Sequence, residues 1–122
     1  MKLIAILAAV NTLLVSEAVI ANNHQHQQSF DGTLRIGKQY SYIFYFGEQS
    51  GDTVVYFFQT NSAVGRKIRS VCRNNRYCSA TGSLQIQNSH QIPKGIPEST
   101  SGTYRVTSVS ATSSRSQTSN RR

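Results

Sequence analysis

Acid is scarce in this chain of 122 residues: five Asp and Glu stand against thirteen Lys and Arg, a formal net charge of +8. So few carboxylates leave little material for acid–base catalysis, and the three histidines (His24, His26, His90) join no nucleophile-and-base motif. Asp31 and Asp52 each sit beside or near glycine, which suits turns better than catalysis. Cysteine is scarcer still. Cys72 and Cys78 cannot supply the four ligands of a structural zinc, and their spacing is not that of a thioredoxin-like dithiol. No internal repeat is visible, and both prolines, Pro93 and Pro97, fall in one connection.

There is one long apolar run, "MKLIAILAAVNTLLV", led by a single lysine, interrupted only by Asn11 and Thr12, and followed by the small-residue pair Val19 and Ala21. This predicts a signal peptide, residues 1–21, with cleavage after Ala18 as the competing site. The run is short for a membrane span and no second hydrophobic segment follows it, so stable membrane insertion is not expected. The expected location is therefore exported, either periplasmic or secreted. Cleavage after Ala21 leaves 101 residues, enough for one small domain. Export favours oxidised thiols, so Cys72 and Cys78 are expected to form a disulfide, with pairing between two chains as the alternative. Closing so small a loop removes chain entropy worth about 2 kcal/mol.

Twelve basic and four acidic residues survive cleavage, and the net charge stays at +8. Such an excess favours polyanionic partners: acidic polysaccharide, sialylated glycan, lipid headgroups or nucleic acid, with solubility as the plain alternative. No cofactor is expected. Cleavage after Ala21 would also expose "NNH", a terminal amine, two amides and His24, which can wrap Cu(II) or Ni(II) in a square plane with His26 as an axial ligand. Cleavage after Ala18 would abolish that metal site.

Residues 22–28 and the Ser/Arg tail 110–122 are polar and are expected to be disordered, which places the folded domain at 29–109. Within it, "YSYIFYF" and "TVVYFFQ" flank the polar turn "GEQSGD" and predict a β-hairpin. Both strands are apolar on both faces, so a closed barrel, a tight sandwich or an oligomer must cover the second face. Val64, Ile68 and Val71 fall at helical spacing after Ser62, a candidate cap, and put Arg66, Lys67, Arg69 and Arg73 on the outer side. "CSATGSLQI" alternates Ala80, Gly82, Leu84 and Ile86 against polar residues, and "TYRVTSVS" sets Tyr104, Val106 and Ser108 against Arg105, Thr107 and Val109. With a weaker strand in "FDGTLRI", the order is β, β, β, α, β, β. The expected fold is mainly β: a small five-stranded OB-like barrel or sandwich with one short helix and a disulfide. Between the last two strands runs a long connection, "QNSHQIPKGIPESTSG", and long loops are often functional.

The run Ser62, Val64, Gly65, Ile68, Cys72, Cys78, Gly82 has the form S-x-V-G-x-x-I-x-x-x-C-x5-C-x3-G, which resembles a pattern in small exported bacterial proteins with OB-like barrels. The resemblance implies that fold and an exported location, and it carries over no catalytic residues. In size, export and disulfide the chain is also similar to the B subunits of AB5 toxins, whose OB-folded copies form glycan-binding rings, though by architecture only. A small secreted effector is a further fit to the same outline.

Two features are candidates for binding. Eight aromatics crowd the hairpin (Tyr40, Tyr42, Phe44, Tyr45, Phe46, Tyr56, Phe57, Phe58); most must be core, and a face of tyrosines beside arginines for stacking on bases or sugar rings is the lesser reading. The stapled tip gathers Arg69, Arg73, Arg76 and Tyr77, and Lys94 stands in the long connection. Guanidinium groups suit carboxylate, sulfate and phosphate, and a disulfide preorganises them, although a solvated turn would look the same. The sequence thus leads to the expectation of a non-enzymatic binding module for an anionic ligand. The alternative is a subunit of a secreted homo-oligomer.

Overall fold

The computed structural model describes residues 27–114. The leader at 1–21, the copper-type site at His24 and His26, and the end of the tail lie outside the described residues.

Five strands follow the expected order: β1 (Gln27–Arg35), β2 (Tyr40–Phe46), β3 (Thr53–Gln59), the helix α1 (Ala63–Arg69), β4 (Tyr77–Ile86) and β5 (Gly102–Ser114). They close into a barrel in the order β1-β2-β3-β5-β4, which is the OB arrangement, and the sandwich is excluded. All pairs are antiparallel except β3 with β5, where Val54–Phe57 run alongside Gly102–Arg105. That parallel step requires a crossover, and α1, β4 and the long connection together supply it.

Closure depends on β1 serving two neighbours. Its residues Gln27 to Thr33 pair with β4, and Thr33 to Arg35 pair with β2. The strand turns from one partner to the other at Gly32, whose φ of 155° and close approach leave no room for a side chain: a Cβ would stand 2.4 Å from the Phe44 carbonyl oxygen.

The barrel core is built from Phe30, Leu34, Ile43, Phe58, Val106 and Val109, and Ile68 enters it from α1 beside Cys72 and Cys78. Ser62 caps α1, its Oγ accepting from Gly65 N at 3.1 Å. Cys72 and Cys78 form a disulfide within the chain, with Cα atoms 5.7 Å apart.

The second apolar face of the hairpin is covered by the chain itself. Val55 and Phe57 point away from the core cluster yet are 0% and 2% exposed. Phe57 shares a cavity with Gln91 and Pro93 of the long connection, which holds a short 3₁₀ turn at Ser89–Gln91. Farther along, Ser99 Oγ bonds to the buried Thr103 Oγ1 at 2.8 Å, and Ser101 N donates to Thr53 O at 2.9 Å. The connection is thus a lid laid over β3 and β5, and its half-buried Ile92, Pro93, Ile96 and Pro97 fit that position.

Several local expectations are corrected. The strands outrun the expected domain, since β1 begins at Gln27 and β5 continues to Ser114, so 27–28 and 110–114 are ladder and not disordered tail. Ser110, Ser113 and Ser114 are accepted there because they are exposed. Val71 is 43% exposed, because α1 ends at Arg69 and helical spacing no longer applies beyond its cap Ser70. Ile86 is 63% exposed at the end of β4, where the alternation has outrun the barrel. Val109 faces the core together with Val106. Register shifts between Thr81 and Gly82 and between Ser83 and Leu84 show that β5 carries extra residues there, Thr107 and Ser110, which restore the inward phase after each. Both return a hydroxyl to β4: Thr107 Oγ1 to Ser83 O and Ser110 Oγ to Thr81 O, each at 3.2 Å.

Candidate ligand-binding trough

The residues proposed from the sequence do not all meet. Arg73 and Arg76 are exposed on the stapled turn. Arg69, expected to point outward, is half-buried and its Nε donates to Thr60 O at 3.2 Å, so it ties α1 to the end of β3. The helix packs so closely there that its outer row is partly consumed by backbone carbonyls. Lys67 Nζ likewise donates to Val109 O at 3.0 Å. Tyr77 is half-buried and its hydroxyl donates to the Asp31 carboxylate. Tyr77 lines a groove beside Phe44, and separately, of the proposed cations, Lys94 alone lines a concave site.

That site is a cleft of about 430 Å³ between the β1–β2 loop and the long connection. Arg35 and Lys38 stand on one bank, Pro93 and Lys94 on the other, and Tyr40 and Tyr42 of β2 lie between them. A second cavity of about 320 Å³ adjoins it, sharing Tyr40 and Pro93 and continuing to Gln59, Gln87, Gln91 and Arg105. Together they make one trough across β2, β3 and β5, with three cations in one lobe and three amides and Arg105 in the other. The edge of Tyr40 meets the buried Phe57 ring at 6.2 Å and 67°, which seats it as a fixed wall.

The β1–β2 loop is held from two sides. Beneath it, Gly37 N donates to Ser41 Oγ at 3.2 Å, and Ser41 bonds to Thr60 Oγ1 at 2.7 Å. Thr60 Oγ1 in turn donates to Gly37 O at 2.9 Å, a closed circuit in which each hydroxyl gives one proton and accepts another. Beside it, the stapled turn docks through Asn74, whose Oδ1 accepts from Ile36 N at 2.8 Å, and through Asn75, whose Oδ1 accepts from Arg35 Nη1 at 3.0 Å. Asn75 holds a left-handed φ of 66°, a conformation asparagine tolerates, and its N–H donates to Leu34 O at 2.7 Å. The disulfide thereby shapes the trough without lining it.

No family model and no curated protein matches this chain. The trough must therefore be read from its own chemistry. Among the described residues no three His, Cys, Asp or Glu side chains cluster to hold a metal ion. None of their helices is long and apolar enough to cross a membrane.

The sequence left Arg35, Lys38, Gln87 and Gln91 unremarked. The available signal was a cation after Gly37, in the short link that precedes the tyrosines of β2, together with the length of the second link.

Proposed function

We propose that this protein is an exported, non-enzymatic module that binds an acidic glycan in the trough. The observation that carries the reading is the convergence of Arg35, Lys38 and Lys94 around Tyr40 and Tyr42 in one preorganised cleft. Cations select carboxylate or sulfate, tyrosine faces pack on pyranose rings, and the glutamines of the second lobe offer amide donors and acceptors to hydroxyl groups. The loops that flank strands 2 and 3 of an OB barrel suit oligosaccharides and oligonucleotides in general. The amide-rich second lobe favours sugar hydroxyls over stacked bases. Export, read from the leader, and the disulfide are consistent with a glycan target outside the cell.

The test is binding of size-defined heparin fragments, neutral oligosaccharides and single-stranded DNA, each followed by fluorescence anisotropy at several salt concentrations. The acidic glycan is expected to bind best, with affinity falling as salt rises. Lys38→Glu with Lys94→Glu should lower it by about tenfold or more, and Tyr42→Ala should lower it with little change in the salt slope. Tighter binding of DNA would move the reading to nucleic acid. Equal losses from charge reversal at Arg66, which lines neither lobe, would reduce it to diffuse attraction.

A further inference from the structure

Charge on this barrel is sorted along its length. At one end, Glu48 and Asp52 lie in the β2–β3 turn, and Glu98 stands two residues before Thr100, whose Oγ1 accepts from Thr53 N at 2.8 Å. Asp31 precedes the stretch of β1 that pairs with β2, and so lies toward that same end. At the other end, Arg35 and Lys38 flank the β1–β2 loop, Arg66, Lys67 and Arg69 belong to α1, and Arg73 and Arg76 to the stapled turn. All four described acids thus fall at one end, and seven of the nine described cations at the other.

The acidic end also carries an uncovered groove. It encloses about 680 Å³ between Phe44, Tyr45, Phe46, Glu48 and Tyr77, with no cation in its wall. Phe46 is 54% exposed and Tyr45 37%, the largest aromatic surface left open by the fold. The long connection that lies beside Phe57 does not contribute to this groove.

We propose that the groove receives the stapled turn of a second copy of this chain, with Arg73 and Arg76 lying against Phe46 and Glu48, so that barrels join head to tail. Guanidinium is the cation that both stacks on an aromatic face and forks onto a carboxylate. The side chains of Arg73 and Arg76 make no hydrogen bond to the described residues. Their turn is fixed by Cys72–Cys78 and by Asn74 and Asn75, so little freedom is lost when it docks. Groove and turn are different surfaces, so the contact is heterologous and each copy in a pair keeps one free groove and one free turn. The proposal uses neither Lys38 nor Lys94 and stands apart from the trough.

Sedimentation of the secreted protein at low ionic strength tests it, with Glu48→Arg closing the groove and Arg73→Ala with Arg76→Ala disabling the turn. Wild type is expected to form species larger than a monomer, which disperse when salt is raised to about 0.5 M. Each variant alone should sediment as a monomer. Their equimolar mixture should give a dimer and nothing larger, because one intact groove then meets one intact turn. Thermal unfolding of each variant, unchanged from wild type, shows that loss of assembly is not loss of fold. A wild type that stays monomeric up to about 1 mM overturns the proposal, as does a variant that assembles alone or a mixture that remains monomeric.

Discussion

Ser41 donates its hydroxyl to Thr60 Oγ1 across 2.7 Å in a buried place: the two residues are 0% and 6% exposed. Thr60 passes its own proton to Gly37 O, and Gly37 N closes the circuit on Ser41. Two side chains nineteen residues apart in sequence thus fix the backbone that presents Lys38. Ser41→Ala would leave Thr60 Oγ1 without its donor in a buried site and Gly37 N, at the edge of that site, without its acceptor. The expected loss is about 1–3 kcal/mol of stability in urea unfolding, accompanied by weaker binding in the trough. A variant as stable as wild type would show that water replaces the missing hydroxyl.

Gly65 gives a prediction of unusual sign. Replacing a glycine within a helix by alanine ordinarily stabilises by about 1 kcal/mol. Here an added Cβ would stand 2.2 Å from Thr60 O and 2.5 Å from Gln59 O, both backbone atoms of the chain that enters the helix. Gly65→Ala should therefore destabilise, and Arg69, which bonds to the same Thr60 carbonyl, should lose its hold. Calorimetry of the variant checks the sign directly, and a raised Tm would mean that α1 can slide away from β3 at no cost.

Much of the scaffold is legible in the sequence because local pattern determines it. The hairpin follows from two aromatic and β-branched runs around a polar turn, α1 from Ser62 and the spacing of Val64 and Ile68, and the disulfide from two thiols in a short loop. What is hidden depends on partners far along the chain. The phase of Val109 depends on extra residues in β5 that exist only relative to β4. Arg69 looks solvated until α1 lies against Thr60. The trough joins residues 35–42 to 93–95: Tyr40 and Tyr42 could be singled out beforehand through the aromatic hairpin, but of its cations only Lys94, through the length of its loop. Arg73 and Arg76 are on the surface as expected, but no local rule predicts that their asparagine neighbours brace the β1–β2 loop.

That bracing separates the two jobs of the stapled turn. Asn74→Ala removes the acceptor for Ile36 N without touching any charge. It should reduce glycan affinity several-fold while leaving the salt dependence unchanged, since a cation is misplaced and not deleted. Replacing both cysteines by serine should lower stability by about 2 kcal/mol through the freed chain and weaken the trough as well. Binding that survives both changes would detach the trough from the turn.

Tyr56 offers a test by alkali. It is half-buried, with the Phe30 ring centroid 4.8 Å away on one side and Tyr104 at 5.8 Å on the other. Burial first, then the Asp31 carboxylate and the neighbouring Tyr104 and Tyr45, push its pKa from 10.0 up to about 12. Below pH 10 the phenol is protonated in both folded and unfolded chains and adds no pH dependence. Between 10 and about 12 the unfolded chain has lost that proton while the folded chain keeps it, so stability must fall as pH rises, and the decline levels off above the folded pKa. Tyr56→Phe removes the group that titrates. Its unfolding free energy should fall less steeply over this window than that of wild type, and its absorbance titration should lack the last phenolate step. If both curves superimpose, Tyr56 ionises as readily in the barrel as in the unfolded chain, and the mouth beside Asp31 is open to water.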